Sequence, residues 1–353
     1  MEIAQIAPLY EAVPPRLYGG TERVVAHLCN ALMELGHDVT LFASAEARTK
    51  ARLVPVREEA IRLDRSALKS DLAAHLSMLF EVRRRCKQFD ILHFHVDMLH
   101  FPFFEQQAHK SVTTLHGRLD MKDLSHVYAR WPQYGLVSIS DSQRLPLSEV
   151  NWIATVPHGV PEALFPFHAQ PRNGGYLAFL GRLSPEKRPD VAIRLAQRSG
   201  LPLKIAAKVD AVDEAYFESV VRPLLDDRLI EYIGEIGDER KAEFLGNATA
   251  LLFPIQWPEP FGLVMIESMA CGTPVIAWNY GAVTEVIEPG VTGFIVSSES
   301  EALEAIRSVT QLDRGAVRAA FERSFTAHTM ANAYLEVYRQ MLSSKPVALA
   351  GYA

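Results

Sequence analysis

The chain has 353 residues, 48% of them hydrophobic and 22% charged, with 36 Lys and Arg against 42 Asp and Glu. That length suits two globular domains of ordinary size, and a formal charge of −6 gives no general reason to expect nucleic-acid binding. Three cysteines, Cys29, Cys86 and Cys271, have no paired spacing, so neither a disulfide scaffold nor a zinc site is suggested.

Met1 to Pro8 carry no basic start and no long apolar core, so no signal peptide is expected, and no apolar run approaches the length of a membrane span. A cytoplasmic protein is expected, with a peripheral contact at the inner membrane face left open.

Glu2 to Ala7 reads as a buried strand that Pro8 ends. A loop with Pro14 and Pro15 closes on Gly19-Gly20, and Val24, Val25, Leu28, Leu32 and Leu35 then recur at helical spacing until Gly36. Asp38 to Ala43 is the next strand. This βαβ opening lacks the glycine fingerprint of dinucleotide enzymes, because the glycines come only after a long loop. Gly19-Gly20 read alone is a plain turn or a place where backbone approaches a ligand.

Residues 48–87 hold eleven Lys and Arg against five Asp and Glu. From Ser66, the residues Leu68, Leu72, Leu76, Leu79 and Phe80 share one helical face that runs into Arg83, Arg84 and Arg85. A helix packed on the sheet with solvated arginines is the favoured reading; a surface for anionic lipid or an anionic acceptor is the other. Asp90 to Val96 is a buried strand with His93 and His95 on one pleat face, read as hydrogen-bonded histidines rather than metal ligands, since no third ligand is spaced to join them. Ser111 to Leu115 delivers His116-Gly117 at its carboxyl end, the functional edge of a parallel sheet. Leu136 to Ser140 and Ile153 to Val156 complete a first sheet.

Pro161 to Gly175 reads as a linker. Tyr176 to Leu180 opens a second sheet, followed by Gly181-Arg182-Leu183-Ser184-Pro185-Glu186-Lys187. Pro185 marks a helix start with Ser184 as its cap, so Arg182 on the turn and Lys187 one turn on can converge on one anion. Strand Leu203 to Ala207, a helix from Val212 to Asp226, strand Leu229 to Ile233 and a helix from Asp238 follow. An apolar strand, Ala250 to Ile255, then precedes Trp257-Pro258-Glu259-Pro260-Phe261-Gly262. A helix starting at about Phe261 places the amides of Phe261, Gly262 and Leu263 at a strand's carboxyl end, which suits a phosphate. Glu259 and Glu267 bracket those amides. Carboxylates beside a phosphate would be repelled, so they point to neutral, hydroxyl-rich parts of a ligand, as in a sugar. Val275 to Ala277, Gly281-Ala282-Val283, whose glycine could approach a base or sugar, and Thr292 to Ile295 complete the second sheet. The last helix, Thr326 to Leu342, has Met330, Tyr334, Val337 and Met341 on one side.

The run Glu-Pro-Phe-Gly-Leu-Val-Met-Ile-Glu from Glu259 to Glu267, followed by Ala-Cys-Gly-Thr-Pro, resembles the signature of the retaining nucleotide-sugar glycosyltransferases of family four. The resemblance implies a GT-B fold: two doubly wound, Rossmann-like α/β domains facing each other across a cleft. The expected domains are residues 1–165 for the acceptor, with a crossover helix 326–345, and residues 166–325 for the donor. It further implies that Glu259 contacts the donor sugar, Glu267 the nucleotide ribose, and Arg182 and Lys187 the diphosphate. Gly19-Gly20 would lie against the diphosphate and acceptor, and His116 near the reacting sugar. Pro157-His158-Gly159-Val160 resembles the family's Pro-Asn-Gly-Val but has His158 in place of Asn. No Asp-x-Asp pair occurs, so no metal and no cofactor beyond the nucleotide sugar are expected. The expected function is metal-independent, retaining transfer of a hexose, from a UDP-sugar by preference, to a hydroxyl acceptor. A nicotinamide oxidoreductase, a non-hydrolysing sugar-nucleotide epimerase and a non-catalytic two-lobed binding protein are the competing readings.

Overall fold

The computed structural model describes residues 1–225 and 228–343. The chain divides into two compact units: Met1–Gly159 with the last helix, and Val160–Thr326. Among the described residues no helix is long and apolar enough to cross a membrane.

The first unit is a parallel sheet of β1 (Glu2–Ile6), β2 (Asp38–Ser44), β3 (Arg52–Arg57), β4 (Ile91–Phe94), β5 (Ser111–Thr114), β6 (Gly135–Ser138) and β7 (Trp152–Thr155). Their order is β3-β2-β1-β4-β5-β6-β7. Six of these strands, all but β3, match runs predicted from the sequence, because parallel strands covered on both faces need continuous apolar stretches. The order reverses direction between β1 and β4, which opens a crevice at the carboxyl ends of those two strands.

Strand β3 has no apolar run to announce it. It lies at the edge of the sheet, pairs only with β2 and so tolerates Pro55. Helix α1 (Gly20–Glu34) follows the glycine pair, and α2 (Asp71–Arg85) follows β3. The buried side of α2 is His75, Met78, Leu79 and Val82, which corrects the predicted apolar face. Of its five residues only Leu79 is inside; Leu68, Leu72, Leu76 and Phe80 are exposed. The helix turned its histidine inward because His75 Nε2 accepts from the Leu9 amide at 3.2 Å. The last helix, Ala327–Ser343, packs on α1, with His328 Nε2 3.1 Å from Glu34 Oε2. Residues 344 and 345 of the predicted crossover helix lie outside the described residues.

The second unit is a parallel sheet of β8 (Leu177–Arg182), β9 (Leu203–Lys208), β10 (Ile230–Gly234), β11 (Ala250–Phe253), β12 (Val275–Trp278) and β13 (Gly293–Val296), in the order β10-β9-β8-β11-β12-β13. Its switch point falls between β8 and β11. Helices α3 (Pro189–Ser199), α4 (Asp238–Gly246) and α5 (Leu263–Ala270) are among those that cover it. The core joins Leu177, Ile205, Leu252 and Ile276 from the sheet to Ala192 and Leu195 of α3. Between β9 and β10 the predicted helix is a chain of short turns over 211–224, with a π segment at Phe217–Val221; its predicted end, Asp226, lies outside the described residues.

Candidate active site

In the first unit, the loops after β1, β4 and β5 line a pocket of about 490 Å³, within the range of small-molecule sites. Gly19, Gly20 and His116 are on its wall. So are Tyr10, Tyr18, Glu22, His75 and Asp97, which no motif marks, and Arg62, which the sequence counts only within the basic stretch. Gly19 accepts no side chain, since a Cβ there would lie 2.8 Å from Pro15 Cβ. Buried Arg23 ties the loop down, donating to the carbonyl of Gly19 at 2.9 Å and of Leu17 at 2.7 Å. Gln143 does the same for the His116 loop, donating to the carbonyls of Leu115 and Gly117 at 2.9 and 2.8 Å. Asp97 adopts a φ of 49°, a left-handed conformation uncommon outside glycine that Asp and Asn tolerate. Desolvation raises its carboxyl to about 6, and burial raises that of Glu22 to about 7.

Behind His116 runs a buried chain of hydrogen bonds. His116 Nε2 lies 2.8 Å from His95 Nδ1, His95 Nε2 lies 2.8 Å from Gln5 Oε1, and Gln5 Nε2 donates to the Tyr338 hydroxyl at 3.2 Å. The Tyr338 hydroxyl is 2.7 Å from His93 Nδ1, and His93 Nε2 is 2.8 Å from Thr114 Oγ1. Burial holds His93 and His95 well below the ordinary histidine pKa and His116 at about 3, so all three rings are neutral. The tautomers then follow in sequence. Gln5 Oε1 can only accept, so His95 donates from Nε2 and accepts at Nδ1; His116 must therefore donate from Nε2. Its buried Nδ1, which has no protein partner, is left as an unprotonated acceptor. His158, in place of the family's Asn, stacks on His116 with ring centroids 5.2 Å apart at 19°. Both nitrogens of His93 and of His95 are thus spent on protein groups. Tyr338→Phe removes one donor and one acceptor from this chain and is expected to cost about 1–3 kcal/mol. An unchanged unfolding temperature in that variant would contradict the relay.

In the second unit, Arg182 ends β8. Its Nη2 donates to Glu186 Oε1, Nη1 lies 3.6 Å from Asp210 Oδ2 and Nε lies 3.7 Å from Asp213 Oδ2. Desolvation raises the Asp213 carboxyl despite the pull of Arg182. Lys187 Nζ pairs with Glu259 Oε2, which also accepts from Trp257 Nε1 at 2.8 Å. The Lys187 ammonium sits 5.1 Å from the Trp257 ring centre and 5.7 Å from that of Phe253. Arg182 and Lys187, predicted to share one anion, are each held by carboxylates of the protein.

Two predicted helix starts are corrected here. Ser184 to Lys187 form a turn, and α3 begins only at Pro189, because Arg188 takes a left-handed φ of 52°. Ser184 is therefore not a cap. Helix α5 begins at Leu263 rather than Phe261, because Gly262 has a φ of 86°. The open first-turn amides are those of Leu263 and Val264, while Phe261 is buried against Phe325 with ring centres 6.1 Å apart.

Glu267 lies in the second turn of α5, 2% exposed, with Oε1 2.9 Å from Lys241 Nζ of α4. Lys241 is 3.2 Å from Asp238 as well. Gly281, with a φ of 58°, lies against the backbone of Glu259, where a Cβ would be 2.2 Å from the Glu259 carbonyl oxygen. The Ala282 amide donates to that same oxygen at 3.0 Å. Gly281→Ala is expected to cost about 2–3 kcal/mol and to displace Glu259; wild-type stability and turnover together would refute this contact.

Residues 18–147 match the family model described as Glycosyltransferase Family 4, and residues 162–322 match the one described as Glycosyl transferases group 1. The chain belongs to the family-four glycosyltransferases. This glycosyltransferase is 30% identical to the D-inositol 3-phosphate glycosyltransferase of Acidothermus cellulolyticus over 57% of its own length and 51% of that relative, so the match spans about half of that protein. It is 27% identical to the glycogen synthase of Mycobacterium tuberculosis over 92% of both chains. The solved structure of sucrose-phosphate synthase from Thermosynechococcus elongatus shares its fold, with a TM-score of 0.77 at 19% identity over 97% of this chain and 99% of that one. The fold is GT-B, with two Rossmann-like domains, and the enzyme transfers a sugar from a nucleotide-diphosphate sugar.

The predicted site residues thus fall into two clusters. Gly19, Gly20 and His116 stand at the switch point of the first unit. Arg182, Lys187 and Glu259 stand at that of the second, with Leu263 and Glu267 on the helix that follows. The motifs do not mark Asp97, although its position just past the carboxyl end of β4 is the signal that would have found it. Gln5, Tyr338, Lys241 and Trp257 act on other side chains, and nothing in their local sequence announces that.

Proposed function

We propose that this glycosyltransferase moves a hexose, from a UDP-sugar by preference, to a hydroxyl acceptor with retention of the anomeric configuration and without a metal. The observation that carries the proposal is the Lys187–Glu259 pair, which joins the loop after β8 to the loop after β11. In this reading the donor diphosphate takes Lys187 from Glu259 and Arg182 from Glu186. Exchange suits a site of this kind, because a cation that keeps a carboxylate partner until the ligand arrives is never left buried alone. Glu259, released, accepts from hydroxyls of the donor sugar, and Glu267, oriented by Lys241, from the ribose. Arg182, Lys187 and the amides of Leu263 and Val264 then stabilise the charge that develops on the departing diphosphate. The bond from the anomeric carbon to the diphosphate oxygen breaks as the bond to the acceptor oxygen forms on the same face. The acceptor proton passes to the departing diphosphate, so no protein base is required. His116, with Nδ1 unprotonated, accepts a hydrogen bond from a sugar hydroxyl.

The test is incubation with UDP-, GDP- and ADP-glucose, with the anomeric proton of the transferred sugar followed by NMR. Product with the donor's own configuration, formed equally well in chelator, is the expected result. Inverted product, or activity lost to chelator and restored by magnesium, overturns the proposal.

The proposal extends to a peripheral contact with an anionic membrane face through residues 48–87. It is supported by Leu72, Leu76 and Phe80, which are 59%, 40% and 61% exposed along one side of α2 and are followed by Arg83, Arg84 and Arg85 at its end. An apolar ridge with a basic terminus matches an interfacial helix. The expected result is sedimentation with phosphatidylglycerol vesicles that is weakened by salt and by Phe80→Ser. Equal binding to phosphatidylcholine vesicles, or none to either, removes this contact.

A further inference from the structure

The pocket of the first unit is built for an acceptor without charge. Its lining carries two carboxylates, Glu22 and Asp97, against one cation, Arg62. That cation is already committed: Arg62 Nη1 is 3.2 Å from Glu11 Oε1, and its guanidinium lies 5.7 Å from the centre of the Tyr10 ring. The field inside the pocket registers at the Tyr10 hydroxyl, whose pKa is raised by desolvation and further by the charge of Asp71, Asp97 and Glu22 against the opposing Arg62. The amino end of α1 would attract an anion, but Glu22 occupies its first turn. Tyr10 and Tyr18, 38% and 39% exposed, supply the apolar walls. Asp97 makes the wall specific. Asp97 lies in the pocket lining with a left-handed backbone, and among the described residues no donor bonds to its carboxylate.

We propose that this pocket takes the acceptor as an uncharged polyhydroxylated ring, a sugar or cyclitol, with hydroxyls bound to Asp97 and its face against Tyr10 and Tyr18, and that it rejects phosphorylated acceptors. This rests on the transferase reading and names its substrate class. A phosphate brought into the pocket would meet two carboxylates and a single cation, Arg62, already shared between Glu11 and the Tyr10 ring, whereas hydroxyls donate to carboxylates in short, charge-assisted bonds. The match to a relative named for inositol 3-phosphate would by itself point the other way, so the two expectations separate cleanly.

The experiment is saturation-transfer NMR on the full chain with matched pairs: methyl glucoside and glucose 6-phosphate, and myo-inositol and inositol 3-phosphate. UDP is added in a parallel thermal-shift series, so that failure of the donor site is scored separately from failure of the acceptor site. The expected result is transfer to the neutral members and little to their phosphates. Asp97→Gly, which suits the left-handed backbone and so avoids a folding defect, is expected to weaken the neutral ligands about ten- to hundredfold. Asp97→Asn, which keeps one acceptor and the same backbone preference, should fall between. Preference for a phosphorylated member, absence of transfer to every neutral one, or indifference to Asp97→Gly overturns the proposal.

Discussion

Lys187→Ala is expected to lower turnover about 10²- to 10³-fold, the loss found when one preorganised charge is removed from a developing anion. The effect has two sources that separate by measurement. In the free enzyme the substitution leaves Glu259 with the Trp257 indole alone, since Oε2 of Glu259 is bound by both Lys187 and Trp257. The two side chains are only 15% and 13% exposed, so an unpaired carboxylate there costs about 1–3 kcal/mol of stability. A chain of this size can absorb that loss and remain folded. The larger part of the effect arises in the transition state and appears in the rate constant. A folded variant with near-normal turnover would show that Lys187 is a structural partner of Glu259 and nothing more. Arg182→Ala should behave likewise, with an added repulsion among Glu186, Asp210 and Asp213.

The second large effect is acid sensitivity. His93, His95, His100 and His158 are held well below the ordinary histidine pKa by burial, and His116 is held at about 3. A histidine whose folded pKa is depressed contributes stability above its unfolded pKa, near 6.5, and loses it as pH falls below that value. Two groups act in the opposite direction. Asp97, raised to about 6, and Glu22, raised to about 7, bind protons in the folded chain that the unfolded chain releases. Near pH 5.5 unfolding takes up about five protons and gives back roughly two. The net of about three makes stability fall by roughly 4 kcal/mol per pH unit. Urea titrations between pH 7.5 and 5.5 should show this fall. A stability that is flat over that range would mean that the five imidazoles are not neutral and buried as a group. The same linkage predicts that Asp97→Asn raises stability at pH 8, by about 1 kcal/mol once solvent screening of an open carboxylate is allowed for, while acceptor binding weakens.

How far the sequence carries depends on the kind of interaction. Ser111–Thr114 and Ala250–Phe253 are legible because a strand in a covered parallel sheet must be apolar throughout. The edge strand Arg52–Arg57 is not, since one bare side removes that requirement. Helix α2 shows the limit of periodicity: Leu72, Leu76 and Phe80 have the right spacing for a buried face, yet the helix presents His75, Met78 and Val82 to the core. The helix starts at Leu263 and Pro189 are displaced by left-handed residues: Gly262, where the lack of a Cβ permits that conformation without demanding it, and Arg188, whose conformation depends on packing. In the site, residues that belong to contiguous motifs, such as Arg182, Lys187, Glu259 and Glu267, can be read in one dimension. Tyr338 and Gln5 act on His116 from 222 and 111 positions away along the chain, and only the folded sheet joins them. Asp97 stands between these cases, at a strand end that the topology makes important but with no motif around it.

The central claim is that Arg182, Lys187, Glu259 and Glu267 form one nucleotide-sugar site, and titration of UDP against the wild-type chain and Lys187→Ala tests it most directly. The account predicts that UDP raises the unfolding temperature of the wild type in a saturable way and that Lys187→Ala, folded and of known stability, loses most of that shift. Equal stabilisation of both proteins, or none of the wild type at millimolar UDP, GDP or ADP, would contradict it.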